Sequence, residues 1–303
     1  MRFTRKKLVL LALAGLLGVG IPSAQAQTTL RYKFKEGDKL DYVMEQKMVM
    51  KMSVLGKDIQ TGVDQVIDIS QNVTGVDKDG KAKMTQKFER WRMTMDTPMG
   101  KVEIDSKDKE EPNNPIAKLI APMIKAMAGS EFSMTMDPRG EMSNIKVPEA
   151  FLKAIKANPL PGMDDMFSED GFKRLMSQNG LVLPKEAMSK GKNWDTKMDM
   201  KSPFGTMKTT NTYTYDGPGK GDRKDLEQIG FKTQLSLEPD PKAPIEVKMK
   251  VEDAKGTAYF DNQAGRLAEL NAVQIMNMEI NAGGQTINSR IETTITMKLK
   301  KKE

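Results

Sequence analysis

The sequence predicts a mainly β protein of the α+β class. It reads as a long curved antiparallel sheet or partial barrel, with a helical segment around 115–178 covering one face. Three observations carry this. Apolar and polar residues alternate with period two over long stretches, the pattern of strands with one buried face. Between Pro115 and Met176 that alternation gives way to apolar residues at helical spacing. The β-rich parts on either side resemble each other in two places, which points to a half-duplication.

The strands come first. In DYVMEQKMVMKM, Tyr42, Met44, Met48, Met50 and Met52 share one face, with Glu45, Lys47 and Lys51 on the other. Ile287, Ile291, Ile295, Met297 and Leu299 alternate with polar partners, as do Ile245, Val247, Met249 and Val251. Further strands are predicted near Leu30–Lys35, Gln65–Val73, Lys81–Met95, Val102–Ser106, Phe132–Met136, Asp195–Met200, Thr209–Tyr215 and Ala272–Ile280. Asp77-Lys78-Asp79-Gly80 and Asp137-Pro138-Arg139-Gly140 read as hairpin turns, where Gly supplies positive φ and Pro presets φ.

From Pro115, the residues Ile116, Leu119, Ile120, Met123, Ile124 and Met127 follow a helical period. Pro122 lies inside the run, so a kink or two short helices are predicted. Shorter amphipathic pieces follow at Pro148–Ala157 and Asp165–Met176. Aligning Gly37 with Gly191 pairs Leu40 with Trp194, Asp41 with Asp195 and Met44 with Met198. MTMDPRGEMSNI, from Met134, likewise matches AYFDNQAGRLAEL, from Ala258, around an Asp…Gly turn. Chance likeness between amphipathic strands is the competing explanation. The chain divides into a signal peptide (1–26), an N-terminal β-rich half (27–146), a helical segment (147–188) and a C-terminal β-rich half (189–303). Residues 27–303 are compatible with one domain.

The first 26 residues have the three parts of a secretory signal peptide. Arg2, Arg5, Lys6 and Lys7 precede an apolar run from Leu8 to Ile21, and Ala24-Gln25-Ala26 forms a small-x-small cleavage site. The run is shorter than the roughly 18 residues of a spanning helix, although an uncleaved anchor is the rival reading. The expectation is an exported protein, periplasmic or extracellular, that does not span the membrane after cleavage. Losing four basic residues lowers the formal charge from +7 to +3, which weakens any argument for nucleic acid from the basic pI. The Lys298–Lys302 tail is a local basic cluster that keeps the C-terminus soluble.

The chain has no Cys and no His. Ser-His-Asp and Cys-His catalysis and ordinary zinc sites are therefore excluded, and stability must come from a core without disulfides. No complete catalytic motif is present, so a non-enzymatic protein with no cofactor and no metal site is expected. Asp77–Gly80 begins like a calcium loop but continues Lys81, Ala82, Lys83, without the further oxygen ligands. Gly217-Pro218-Gly219-Lys220-Gly221 lacks the full phosphate-loop pattern. Ser143-Asn144-Ile145-Lys146 matches S-x-x-K, but neither S-D-N nor K-T-G occurs. Asn72-Val73-Thr74 is a sequon within a predicted strand. Asp164, Asp165, Glu169 and Asp170 suit the first turn of a helix. Trp91, between Arg90 and Arg92, is placed for ring–cation packing.

Methionine is the compositional oddity, with 25 in the chain, many on strand faces. Met is flexible and polarisable and adapts to irregular apolar shapes. A Met-built core is the plain explanation; a plastic apolar cavity is the functional one, and Cu(I) binding by thioethers is a third.

An opening such as LRYKFKEGDKLDY, here Leu30–Tyr42, leading into long amphipathic strands resembles uncharacterised secreted bacterial domains of unknown function. A looser likeness is to periplasmic lipoprotein-carrier folds, such as the outer-membrane lipoprotein localisation factor, where a curved sheet and helices enclose an apolar cavity. That resemblance implies an exported carrier of a lipid or other hydrophobic small molecule. The candidate lining is Met44, Met48, Met50, Ile120, Met123, Ile124, Met134, Met136 and Phe151. The alternative is a structural or interaction protein of the cell envelope, partnered by an envelope protein, with a fully packed core. A hydrolase using two convergent carboxylates is the third class. N-terminal sequencing of the exported protein should begin at Gln27; retention of Met1 would contradict the signal-peptide reading.

Overall fold

A computed structural model describes residues 27–303, apart from 55, 99, 111, 158–167, 179, 203, 242, 244, 283–284 and 302–303. The predicted signal peptide and part of the acidic cluster, Asp164 and Asp165, lie outside the described residues. Among these residues no helix is long and apolar enough to cross a membrane.

Twelve strands form one antiparallel sheet that does not close. They are β1 (Lys39–Val54), β2 (Lys57–Val76), β3 (Ala82–Thr97), β4 (Gly100–Asp105), β5 (Glu131–Met136), β6 (Met142–Lys146), β7 (Asn193–Ser202), β8 (Gly205–Pro218), β9 (Glu227–Pro239), β10 (Glu246–Asp261), β11 (Arg266–Ala282) and β12 (Gln285–Leu299). Three helices interrupt them: α1 (Pro115–Ala128), α2 (Glu149–Ala157) and α3 (Glu169–Gln178). The strand order is β6-β5-β3-β2-β1-β12-β11-β10-β9-β8-β7, with β4 paired to β3. Each half thus runs through five neighbouring strands, the first with β4 as a branch on β3, and β12 joins the two by pairing with β1 and β11.

The repeat suspected from sequence is structural. Gly37 and Gly191 both take positive φ, 85° and 83°. Gly37 N–H donates to Val73 C=O at 2.9 Å, and Gly191 N–H to Tyr215 C=O at 2.7 Å. Each glycine thereby ties the start of the first strand of its half to the end of the second. Even the irregularities correspond: the register shifts between Val73 and Gly75 in β2 and between Tyr215 and Gly217 in β8.

One apolar cluster holds one end of the sheet together. Val73, Ala82, Met84 and Phe132 from the first half share it with Tyr213, Tyr215, Ile229, Ala258 and Phe260 from the second. In a flat sheet β3 and β9 would lie six strand spacings apart, roughly 29 Å, so the sheet must curl. The gap inside the curl is filled by the segments that lead into β1 and β7. Leu30 and Leu183 have no exposed surface, and Thr28 and Met188 form an isolated bridge between the two segments. The predicted strand at Leu30–Lys35 is therefore an extended plug. Its amides are used elsewhere: Tyr32 N–H donates to Pro138 C=O at 2.8 Å and Lys33 N–H to Gly265 C=O at 3.0 Å. Tyr32 and Tyr42 donate their hydroxyls to the carbonyls of Leu181 and Leu267, and burial pushes both phenols well above the usual range.

The helices cover only part of the concave face, next to β3, β4 and β6. α1 starts at Asn114, whose Oδ1 accepts from the Ile116 and Ala117 amides at 2.8 and 3.3 Å. Ala117, Ala121 and Ile124 bury against Val63, Met95, Val102 and Ile104. Pro122 does not split α1 into two helices. It and Lys118 both lie on the exposed side, where water can take the carbonyl that Pro122 leaves without a donor. The helical segment is also interrupted by the β5–β6 hairpin.

Two strands were not anticipated, β6 and β9, although Ile229, Phe231, Thr233, Leu235 and Leu237 in β9 carry the same alternation. The Asp77–Gly80 turn is closed by Asp77, whose Oδ1 accepts from the Asp79 and Lys81 amides at 2.9 Å. Trp91 does not pack on its flanking cations, because neighbours in a strand face opposite ways. Its indole N–H donates to Gln65 at 2.9 Å, while Arg90 and Arg92 pair with Asp105 and Asp68.

Since the left-handed region costs about 1–2 kcal/mol for a residue with a Cβ, Gly37→Ala and Gly191→Ala should each lower stability by about that much in urea unfolding. Equal effects in the two variants are expected from the repeat, and neither glycine has a neighbour within 4 Å for a Cβ to strike.

Candidate functional site

The register of the central strands sorts the concave face into cross-strand rows. At the plugged end, which we term proximal, Ile67, Met44, Met297, Leu270, Ala258, Ile229 and Tyr215 stand side by side. Midway, the row Val63, Met48, Thr293, Gln274 and Ala254 follows the row Gln65, Gln46, Ile295, Ala272 and Gly256, placing four amide or hydroxyl side chains together. Beyond this polar belt the face turns apolar again. One row runs Thr61, Met50, Ile291, Met276, Val251, and the next Ile59, Met52, Ser289, Met278, Met249.

This distal patch differs from the proximal core in what covers it. The five methionines Met50, Met52, Met249, Met276 and Met278 are half-buried, whereas Met84, Met134 and Met136 in the proximal core are 2–6 % exposed. Among the described residues the helices make their main contacts with β3, β4 and β6 rather than with β10, β11 or β12. A depression of about 770 Å³ at this end of the sheet takes in three cross-strand rows, of which Ile59, Met52, Ser289, Met278 and Met249 form the middle one; the two flanking rows, with Lys51, Gln60, Lys248, Glu279 and Arg290 among them, belong to the opposite, charged face. That opposite face is internally paired: Lys248 bonds Glu279 at 2.9 Å, and Arg290 bonds Glu252 and Glu292.

The sequence-predicted lining residues do not meet in one cavity. Met134, Met136 and Phe151 lie in the proximal core, with Met123 packed against it. The Phe151 ring sits 4.8 Å from Phe172 and 5.7 Å from Phe132, centre to centre. Ile124 belongs to the cluster under α1, flanked by Met48 and Ile120. Met44 packs on Tyr42, Ile67 and Ile69. Met50 alone of the nine falls in the distal patch. Sequence reasoning passed over Met52, Ile59, Met249, Met276, Met278 and Ser289 as site residues. Their alternation was visible; the register that brings them together was not.

Among the described residues no group of three or more metal-ligating side chains is gathered. The carboxylates with perturbed acidity, Glu89, Asp105, Glu252, Glu269 and Glu279, are all shifted downward. For Asp105 the leading cause is the hydrogen bond from Arg90. For Glu269, burial opposes the shift, but bonds from Asn271 and Arg223 outweigh it. Downward shifts are those of carboxylates held charged in structural pairs. A general acid needs the opposite.

The profile of a family of unknown function, DUF6263, matches residues 79–267, more than half of the chain. The chain belongs to this family. The DUF6263 match runs from the β2–β3 turn to the start of β11, so of the distal patch it takes in Met249 and Val251 but not Met52, Ile59, Met278 or Ser289. No curated protein matches the chain. Among solved structures, one on lipid–protein interactions in lipovitellin is similar at 12 % identity and a TM-score of 0.46, covering 89 % of this chain and 26 % of that one. This chain therefore spans about a quarter of that protein's length. DynF, from the dynemicin biosynthesis pathway of Micromonospora chersina, shows 8 % identity, 91 % and 86 % coverage and a TM-score of 0.23. A domain described as an outer membrane lipoprotein-sorting protein from Vibrio parahaemolyticus shows 8 % identity, 87 % and 86 % coverage and a TM-score of 0.16. The functional reading rests on the chain's own residues.

Because folding lowers the pKa of Asp105, chiefly through the hydrogen bond from Arg90, its contribution to stability is present above the ordinary carboxylate range and is lost as pH falls through the lowered value. Asp105→Asn should therefore destabilise the protein by about 1 kcal/mol at neutral pH. The gap to wild type should close at strongly acidic pH; a gap independent of pH would contradict the pairing.

Proposed function

We propose that the protein is an exported, non-catalytic binding protein that holds a lipid-like apolar ligand against the distal methionine patch. The observation that carries this reading is the half-buried stretch of apolar sheet around Met50, Met52, Ile59, Met249, Met276 and Met278, set apart from the filled proximal core. A fold that fills one end of its concave face with aromatic and aliphatic side chains leaves the other end half-buried. Methionine is suited to such a surface, since its thioether repacks around guests of different shape. Export is carried by the N-terminal pattern of Met1–Ala26. The lack of His and Cys, together with carboxylates held charged in pairs, supports binding rather than catalysis.

The test is titration with a dansylated undecanoic acid probe, beside native mass spectrometry of protein purified without detergent. The wild type should bind the probe. Met52→Glu and Met278→Glu should weaken binding at least about tenfold, because each places a charge against the apolar guest. Val273→Glu lies on the opposite face, at a side chain already 37 % exposed, and should leave binding unchanged. A wild-type chain that carries no bound molecule and ignores the probe would overturn the proposal. The structural or interaction role in the cell envelope would then stand in its place.

A further inference from the structure

The geometry points to β7 as a self-association edge: two copies of the chain pair their β7 strands antiparallel, about a two-fold axis at Met198, and continue the sheet. Among the described residues β7 ends the sheet and is hydrogen-bonded to β8 alone. Its other edge offers a row of unpaired backbone N–H and C=O groups, a template for another strand. Open edges are commonly guarded by lysines, and β7 carries Lys197 and Lys201, but each sits two residues from an aspartate, Asp195 or Asp199. These four exposed side chains alternate in sign along one face.

The alternation discriminates between registers. Outward-pointing backbone groups come from every second residue, so a second β7 can shift only in steps that keep partners of like parity. With Met198 opposite its own counterpart, Asp195 faces the second copy's Lys201 and Lys197 faces the second copy's Asp199. By symmetry each pair occurs twice, and all four charges on each strand meet an opposite sign. Centring the pair on Lys197 or Asp199 instead sets Lys against Lys and Asp against Asp. Centring on Thr196 or Met200 leaves fewer opposed pairs. Directly opposed cross-strand charges stabilise or oppose pairing by sign, so the pattern selects a single register and disfavours its neighbours.

Within the chain these charges have little to answer. Across β8, Asp195, Lys197 and Lys201 face Thr212, Thr210 and Thr206. Asp199 faces Lys208, which is already bonded to Glu238 at 2.7 Å. The other face of β7 carries Trp194, Thr196, Met198 and Met200, all half-buried. In the proposed register Met198 meets Met198 and Thr196 meets Met200, so the concave apolar faces of the two copies become continuous. The inference is independent of whether the distal patch holds a ligand.

Sedimentation of the mature full-length chain should show a reversible dimer. The double variant Asp195→Lys/Asp199→Lys should be monomeric, as should Lys197→Asp/Lys201→Asp, while an equimolar mixture of the two should form a 1:1 heterodimer. That recovery also shows that both variants are folded. Because the chain has no cysteine, Met198→Cys introduces a single thiol and should yield a disulfide-linked dimer on mild oxidation. Thr196→Cys should cross-link poorly with itself and well with Met200→Cys. A wild type that stays monomeric at every soluble concentration would overturn the inference. So would a dimer that survives either charge variant, folded variants that fail to associate when mixed, or a Thr196→Cys chain that self-links as readily as Met198→Cys.

Discussion

The pairing of β12 with β1 is the constraint on which the rest of the molecule depends. Without it the chain is two six-stranded sheets, β1–β6 and β7–β12, each with one apolar face. With it, Met44 stands opposite Met297 and Met50 opposite Ile291, and the two faces merge into one. A slip of one residue would turn every one of these side chains to the solvent face, so the alternation along β1 and β12 specifies the register strongly. Once joined, the merged face is too broad for three short helices to cover. It must curl, and the curl is closed at one end only.

That asymmetry separates stability from function. At the proximal end, Leu30, Leu183, Phe132, Phe151, Ile229 and Phe260 are buried completely, and the hydroxyls of Tyr32 and Tyr215 find a carbonyl and a carboxylate acceptor there. Tyr215 donates to Glu227 at 2.6 Å, and burial is the main reason its pKa is pushed up to about 12. Such groups stay neutral donors over the whole physiological range and hold the plug in place. Toward the distal end the same strands continue past a belt of Gln46, Gln65, Gln274 and Thr293 into methionines that are only half-buried. The proximal end is a core in the ordinary sense; the distal end is an apolar surface positioned by that core.

Much of the fold was legible in the sequence because period two is a strong signal. The strands around Tyr42–Met52, Val247–Val251 and Ile287–Leu299 were readable residue by residue, and the Gly37–Gly191 alignment marked a genuine repeat. Where reading failed, tertiary demands had overridden a local pattern. Leu30–Lys35 looks like a strand because it is extended and apolar, yet it lies inside the curl and lends its amides to Pro138 and Gly265. β9 was passed over although Ile229 and Phe231 belong to the central rows. The site was less legible than the fold. A list of apolar residues on strand faces cannot show which end of a sheet is filled, since that depends on how twelve strands align. Phe151 and Met134 therefore fell in the filled end, and Met52 and Met278, with equally plain alternation, fell in the open one.

The central claim, that one end of a single concave face is packed and the other left open, can be tested on the methionines themselves. Thioether oxidation follows solvent access, and limited peroxide treatment followed by peptide mass spectrometry reads each Met separately. Met50, Met52, Met249, Met276 and Met278 should oxidise first and together, while Met84, Met134 and Met136 stay reduced until the protein unfolds. Oxidation of both groups at one rate, or protection of the distal five in the ligand-free chain, would contradict it.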